Sequence, residues 1–480
     1  MNDRKGFGSN FGFLMAAVGS AVGLGNIWGF PNKMGANGGF PFLILYLALA
    51  LCCGVIIMLG ELALGRKTGH GAVGAYQSIS KRFKWLGWLG IAAAALIFSF
   101  YSALGGYCLR YVVVNFGNLI GAEFGTNGVG GADVFQGLLS QPDVSIAFAL
   151  AFMLITMLVV MSGVGGGIER VCSVGMPALF FILIICIIRS CTLPGAADGL
   201  KYMFVPGWAV ANGIIDEAPG FWRVLTAAGG QMFFSLSLGA GVMITYGSYL
   251  DKKQDLGKSA MIIVGMDTVV ALMAGLCVIP GRFALDPNGA LGGPELLFIT
   301  MQNVFDKMGP AGPVFGILFY LLVFFAAISS SISMLEVIVA HFCDKGREKG
   351  KGDRRKLYSA IAVVICAALC ALVCADGMGS NHISPAELLG LAGAKLPGWS
   401  TSWLGLFDSV AEGLLMPLGA LLMCLMISWE LKPDALRQEI LLNGENRPWV
   451  YDFFRLCVKY ITPLCMLMIL YGQISDFFIV

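Results

Sequence analysis

The chain has 480 residues, 57% of them hydrophobic and only 12% charged, with a mean hydropathy of +0.80 and a formal net charge of +2. An ordinary soluble protein carries about twice that share of charge, so this composition excludes one and leaves a polytopic membrane protein with the lipid bilayer as its partner. The near-neutral balance also excludes a basic surface for nucleic acid.

In chain order, apolar runs of about twenty residues, the length that crosses a bilayer, fall near 11–30, 41–64, 86–120, 145–162, 171–190, 221–249, 259–280, 311–342, 357–375, 403–429 and 451–477. That is eleven predicted spans in one domain, 1–480. The polar segment Met1–Asn10 lacks a cleavable signal pattern, so the first span is expected to stay in the mature protein. Arg4 and Lys5, Arg66, Lys67, Lys81, Arg82 and Lys84, Lys252, Lys253 and Lys258, and the run Lys345 to Lys356 all fall on one side, which is predicted to be the cytoplasm. Gly121–Val144 has no Lys or Arg and Asp376–Ser402 has only Lys395, which puts the N-terminus inside and the C-terminus outside. Short helices are expected in the long outer loops, for example over Ser384–Gly393. The 14 cysteines sit mostly inside apolar runs (Cys52, Cys53, Cys186, Cys366, Cys370, Cys424) without metal-ligand spacing, and read as small core hydrophobes rather than a disulfide framework.

Three spans break the apolar pattern. Gly19, Gly23 and Gly25 crowd the middle of the first and Asn26 follows them, so a uniform helix there is locally weak. A break at membrane depth is tolerated only where the freed backbone groups are buried in protein or line a polar cavity, and such breaks bind ions and small solutes. The sixth span repeats the device with Ser235, Ser237, Gly239 and Gly241. If the chain holds two five-helix repeats, about 9–190 and 221–430 with an added helix at 451–477, these spans open each repeat. Small residues also let membrane helices pack closely, and for one cluster alone that reading stands. Two clusters in matching places weaken it. In the eighth span Ser329 and Ser330 bring hydroxyl oxygens to mid-membrane, either as ligands for a hard cation or bonded back to their own helix. Asp267 is an intramembrane carboxylate, a functional group by default. Glu61 lies near the inner end of its span, where a bond to a broken backbone and a transport role fit equally.

The stretches Gly19-Ser-Ala-Val-Gly-Leu-Gly-Asn-Ile-Trp with Phe30-Pro31, Asn37-Gly-Gly39, Gly60-Glu-Leu-Ala-Leu-Gly-Arg66, Phe234-Ser-Leu-Ser-Leu-Gly239, Thr245-Tyr-Gly-Ser-Tyr249 and Phe324-Phe-Ala-Ala-Ile-Ser-Ser-Ser331, in this order over nearly the whole chain, resemble the neurotransmitter:sodium symporter family. The resemblance implies an all-α membrane protein of the leucine-transporter fold, with eleven helices in two inverted five-helix repeats and unwound helices 1 and 6. It implies symport of sodium with a neutral amino acid across a bacterial plasma membrane by alternating access. It also implies two sodium sites. One falls on the Ala21 carbonyl, Asn26, Ser235, Asp267 and the substrate carboxylate; the other falls on the carbonyls of Gly19, Val22 and Ala326 and the hydroxyls of Ser329 and Ser330. The substrate carboxylate would meet the N–H groups of Gly23, Leu24 and Gly25 and the Tyr101 hydroxyl, and the ammonium the carbonyls of Ala21, Phe234, Ser235 and Ser237. Ile97, Tyr101, Phe234, Ala240, Ser330 and Met334 would surround the side chain, under a lid of Phe234 and Tyr101. Arg4, Tyr249 and Asp344 fall at the family's cytoplasmic gate, with Phe7 in place of a Trp.

Three features qualify the resemblance. The family's outer-gate Arg and its acid fall on Gly29 and Ala411; Glu412 is adjacent without an Arg opposite, so outer closure is expected to rest on the aromatic lid rather than on a salt bridge. Asp267 stands where most members have Asn; with Tyr46, Gln231 and Ser235 at the positions that coordinate chloride elsewhere, it is expected to make chloride dispensable. Gly167 and Pro177 match the family's motif for local unwinding of the fifth helix, beside the alternative of an ordinary kink. A large aromatic stands at position 240 in the bacterial leucine transporter, so Ala240 frees volume for a hydrophobic or aromatic side chain; a small or polar amino acid, and a non-transporting sensor, are the alternatives. A channel would need a continuous polar pore, and three His without a nucleophile give no enzyme. Nothing in the sequence fixes an oligomeric state.

Overall fold

The computed structural model describes residues 6–126, 128–290, 293–350, 354–390, 398–441 and 448–478, and among them every regular element is a helix. Nine helices in this set are long and apolar enough to cross a membrane, and a bent pair makes a tenth. In order they are α1 (Asn10–Ala21) with α2 (Gly25–Ala36), whose axes bend by 44° at the break, α3 (Phe40–Thr68), α4 (Lys81–Ile120), α5 (Pro142–Met161) and α6 (Val164–Cys191). Next come two pieces too short to span alone, α7 (Phe221–Leu236) and α8 (Val242–Gly247). The long helices resume with α9 (Leu256–Leu285), α10 (Gly309–Glu348), α11 (Arg355–Asp376), α12 (Trp403–Leu431) and α13 (Pro448–Ser475).

Each predicted apolar run lies on one of these helices, and the runs at 11–30 and 221–249 lie on the two divided ones. The helices end where the backbone allows it: α3 and α4 stop at Gly69 and Gly121, both left-handed, which closes a helix at no Cβ cost. Asp255 caps α9 through the Lys258 N–H. Segments between the long helices carry helices that hydropathy does not signal, among them Gly131–Leu139, Ala196–Phe204 and Met301–Lys307. The expected helix at 384–393 is one turn, Pro385–Leu388, closed by a Ser384/Glu387 capping box, with 391–393 outside the described residues. Arg4, Lys5 and Lys395 also lie outside them.

Packing is closest where glycines meet backbone. A Cβ on Gly247 of α8 would sit 2.6 Å from the Leu62 carbonyl of α3, and one on Gly65 would collide with the Ile244 carbonyl, so α3 and α8 press together as one unit. The short inner half of the sixth span, which has too few residues to be stable alone, takes its stability from that contact.

Candidate functional site

The two breaks face each other. α1 ends at Ala21, Val22 is extended, and α2 resumes at Gly25. Asn26 holds this break together by accepting from the Gly23 N–H at 3.0 Å, and the Leu24 N–H donates to the Tyr101 hydroxyl at 2.6 Å. Only glycine fits at position 23, because a Cβ would collide with the Ser330 and Tyr101 hydroxyls. Between α7 and α8 the chain turns through Ser237, Gly239 and Gly241, with φ of 53°, 80° and 74°, a left-handed path that glycine adopts freely and Ser adopts at a cost. Glu61 accepts the freed Gly239 N–H at 2.6 Å, which is the backbone-bonding role among its two readings. The Ser237 hydroxyl donates to the Ser20 carbonyl at 3.0 Å and ties one break to the other.

Asp267 is fully buried beside this junction. Asn26 donates to its Oδ1 at 2.7 Å, Ser235 to its Oδ2 at 2.8 Å and Tyr46 to its Oδ2 at 3.2 Å. Three neutral donors thus surround the carboxylate. The Gln231 Nε2 donates instead to the Gly25 carbonyl at 2.6 Å. Of the donors at the expected anion positions, two are therefore committed to Asp267 and the third to the backbone.

The second cluster has no charge. The Ser330 hydroxyl lies 3.4, 3.1 and 3.5 Å from the Gly19, Ser20 and Val22 carbonyls, and the Ser329 hydroxyl 2.9 Å from Ala326 O and 3.4 Å from Val22 O. Ser329 thus bonds back to its own helix while facing α1, and both of its readings hold at once. One hydroxyl proton cannot serve three carbonyls. The carbonyls ending α1 also lack helical donors and carry the negative end of the helix dipole, so this group of oxygens suits a small cation.

Around the junction Phe234 lies 6.3 Å from Tyr101, ring centre to ring centre, and stacks on Phe100 at 6.4 Å. Ile97, Ala240 and Met334 are buried in the core. Ser20 and Ser333, bonded hydroxyl to hydroxyl at 2.7 Å, belong to the junction as well. Ser20 lies inside a stretch singled out in the sequence and Ser333 two residues beyond another, and neither was given a role there.

Beside the expected outer-gate positions stands an ion pair that the sequence reading did not identify. Lys33 of α2 pairs with Glu412 of α12 at the edge of a cavity of about 290 Å³ lined also by Arg223, Asp408 and Gln473. Lys33 is one helical turn beyond Gly29 on the same face, and Glu412 one residue beyond Ala411, so an ion pair stands next to the two positions that lack one. The i+4 spacing of Gly29 and Lys33 was the available signal. A Cβ on Gly29 would lie 2.9 Å from Gln231 Oε1, which leaves little room for a larger side chain there.

At the expected cytoplasmic gate Phe7 packs edge-on against Phe13, Tyr246 and Tyr249 at 5.5 to 6.1 Å. The Tyr249 hydroxyl donates to Glu336 at 2.5 Å, and Arg355 pairs with the same buried carboxylate through its two terminal nitrogens, Nη1 and Nη2. Asp344 accepts the Gly71 N–H at 3.1 Å. Glu336 and Arg355 were missed because their partners lie far apart in sequence.

The description of the Sodium:neurotransmitter symporter family matches residues 4–127 and 132–478. An uncharacterised sodium-dependent transporter of Bacillus subtilis, YhdH, is 36% identical over 477 residues, 97% of each chain, and another of Methanocaldococcus jannaschii, MJ1319, is 30% identical over 91% of this chain and 84% of its own. Among solved structures, MhsT in complex with L-phenylalanine superposes with a TM-score of 0.83 at 34% identity, covering 98% of this chain and 100% of MhsT. The chain belongs to the sodium:neurotransmitter symporter family, a family of membrane transporters and not of enzymes.

Proposed function

We propose that the protein imports a neutral, hydrophobic or aromatic amino acid together with sodium by alternating access. The observation that carries this reading is the pair of oxygen clusters meeting at two helix breaks beneath the Tyr101 and Phe234 rings. Sodium is cargo here. The first ion takes the Ala21 carbonyl, Asn26, Ser235, Asp267 and the substrate carboxylate; the second takes Gly19, Val22, Ala326, Ser329 and Ser330. The Gly23–Gly25 N–H groups and Tyr101 receive the carboxylate at the start of α2, where the dipole is positive. Ile97, Ala240, Ser330 and Met334 receive the side chain. The Lys33–Glu412 pair, outside the lid, adds an ionic element to outer closure.

With α7 and α8 taken as one crossing, the chain crosses eleven times, N-terminus inside and C-terminus outside, in a bacterial plasma membrane. An inside-negative potential of 100 mV supplies about 2.3 kcal/mol per charge, so two ions concentrate a zwitterion strongly. Chloride is not required, because Asp267 supplies the charge and holds the donors that an anion would use.

The test is uptake into proteoliposomes under an inward sodium gradient. Accumulation above the outside concentration, lost when choline replaces sodium, is expected; equilibration alone would point to a channel, and saturable binding without uptake to a sensor. Substrate size is read by competing tryptophan, phenylalanine, leucine and glycine against one labelled substrate in wild type and in Ala240→Phe. A buried aromatic ring adds a few kcal/mol of apolar burial that glycine lacks, so about tenfold or more of that preference should disappear when the ring of Phe fills the space. Glycine outcompeting every aromatic in the wild type would overturn the assignment. The complex of MhsT with L-phenylalanine supports the aromatic choice.

A further inference from the structure

Among the described residues, Arg110 of α4 is a cation without an anion. It is half-buried, its guanidinium lies over the Phe148 ring of α5 at 6.0 Å, and no described carboxylate or carbonyl accepts from it. It lines a cavity of about 250 Å³ between α4, the start of α5 and the short helix Gly131–Leu139. Tyr111, Val114 and Leu138 are the buried part of the wall, and the exposed Asp133 and Gln141 stand at the mouth. The Tyr111 hydroxyl is buried too and has no hydrogen-bond partner among the described residues.

An unpaired arginine is costly in hydrocarbon and stable at the membrane interface. Tyr101 is bonded to the first helix break, a feature that lies near the bilayer midplane in transporters, and Arg110 is nine residues further along the same helix. At 1.5 Å per residue that is about 14 Å, close to half of a hydrocarbon core about 30 Å thick. The guanidinium therefore stands where acyl chains give way to lipid phosphates. From the level of Phe148 toward the midplane, Leu150, Leu154 and Leu158 of α5 repeat at every fourth residue and are exposed, one face on which an acyl chain can lie.

The charge around the cavity selects the headgroup. Arg110 and Asp133 are its two charged lining residues and sum to zero; Asp143, in the first turn of α5 and two residues from Gln141, adds a further acid. A headgroup with a net negative charge would pair with Arg110 but face these carboxylates. A zwitterionic one meets both signs. Its phosphate oxygens suit the fork of a guanidinium, with the Tyr111 hydroxyl as a further donor in the same cavity, and its cation suits Asp133. A primary ammonium donates hydrogen bonds to a carboxylate, and a quaternary one does not.

We propose that this cavity binds one phosphatidylethanolamine molecule of the outer leaflet, with its phosphate on Arg110, its ammonium on Asp133 and an acyl chain along α5. The leaflet and the depth rest on the symport reading above.

The experiment is native mass spectrometry of the full-length protein, delipidated in detergent and titrated with phosphatidylethanolamine, phosphatidylglycerol or phosphatidylcholine of the same acyl chains. Wild type should bind its first phosphatidylethanolamine about tenfold more tightly than either other lipid. Arg110→Ala should weaken that binding about tenfold or more, the size expected for losing a hydrogen bond to a charged group. Arg110→Lys should keep part of it, and Tyr111→Phe should weaken it by about two- to fivefold. Asp133→Asn changes an exposed side chain and serves should Arg110→Ala fail to fold: it should erase the preference over phosphatidylglycerol. Equal binding of phosphatidylethanolamine by wild type and Arg110→Ala, or a preference untouched by Asp133→Asn, would overturn the site. Displacement of the lipid by inorganic phosphate would make it a site for a free anion and overturn the lipid assignment. Failure of wild-type uptake in the sodium test above strikes the symport reading alone, because lipid binding is read without transport.

Discussion

The Asp267 cluster and the Ser329–Ser330 cluster lie at the same junction and are built from opposite materials. Asp267 is a buried carboxylate met by donors from Asn26, Ser235 and Tyr46, so its oxygens are satisfied as the chain stands. Around Ser329 and Ser330 are carbonyls from Gly19, Ser20, Val22 and Ala326; Ser237 also donates to Ser20, and the other three still outnumber the two hydroxyl protons of Ser329 and Ser330. A cation at the first cluster competes with donors already in place but gains a full negative charge. A cation at the second gains no charge but relieves acceptors that face one another. The first should therefore set how strongly sodium is bound and whether an anion is needed, and the second how firmly α1 is held to α10.

Removing the charge breaks the comparison most sharply. In Asp267→Asn the donors of Asn26, Ser235 and Tyr46 would meet an amide that supplies only one acceptor. Disrupting a buried charged set costs about 3 kcal/mol, so the sodium concentration for half-maximal uptake should rise by about a hundredfold, or uptake should fail. Any activity that remains should increase with chloride, whereas wild-type uptake should be equal in chloride and gluconate. Full uptake by Asp267→Asn in gluconate would show that the carboxylate's charge is idle.

Ser329→Ala takes one neutral oxygen from the other cluster. Losing a hydroxyl ligand of this kind costs about 1 to 1.5 kcal/mol, or about tenfold in the sodium requirement, with no new response to chloride. A sodium titration identical to wild type would remove Ser329 from the site.

How much of this was legible in the sequence follows from the range of the interactions involved. The spans were legible because a run of about twenty apolar residues has one stable place, and the two breaks because Gly23, Gly25, Gly239 and Gly241 weaken a helix wherever they occur. Asp267 stood out because a carboxylate inside an apolar run is costly. The pairing of Lys33 with Glu412 was missed for a different reason. The resemblance points to Gly29 and Ala411 alone, while a helix offers the same face again one turn on, at Lys33. Glu336 with Arg355, and Glu169 with Ser9, were not legible at all: 19 and 160 residues separate the partners, and only packing brings them together. The surface helices at 196–204 and 301–307 escaped because they are short and mixed in polarity, so neither length nor hydropathy marks them.

The smallest expected effect sharpens the comparison further. Tyr46 occupies a position that coordinates chloride in relatives that need it, yet its hydroxyl here donates to Asp267 Oδ2 at 3.2 Å, the longest of the three bonds to that carboxylate. Were an anion still bound in this place, Tyr46→Phe would remove one of its few donors and uptake would become strongly dependent on chloride concentration. With the carboxylate in the anion's role, Ser235 still donates to the same oxygen at 2.8 Å, and Phe keeps the ring that packs against Phe30 and Phe42. The loss is then one long hydrogen bond, about 0.5 to 1 kcal/mol, or two- to fivefold in the sodium requirement. Sodium titrations of Tyr46→Phe in chloride and in gluconate should therefore superpose, displaced together from wild type by that small factor. Separation of the two curves would mean that Asp267 shares its role with a bound anion, and that the two clusters differ by less than one whole charge.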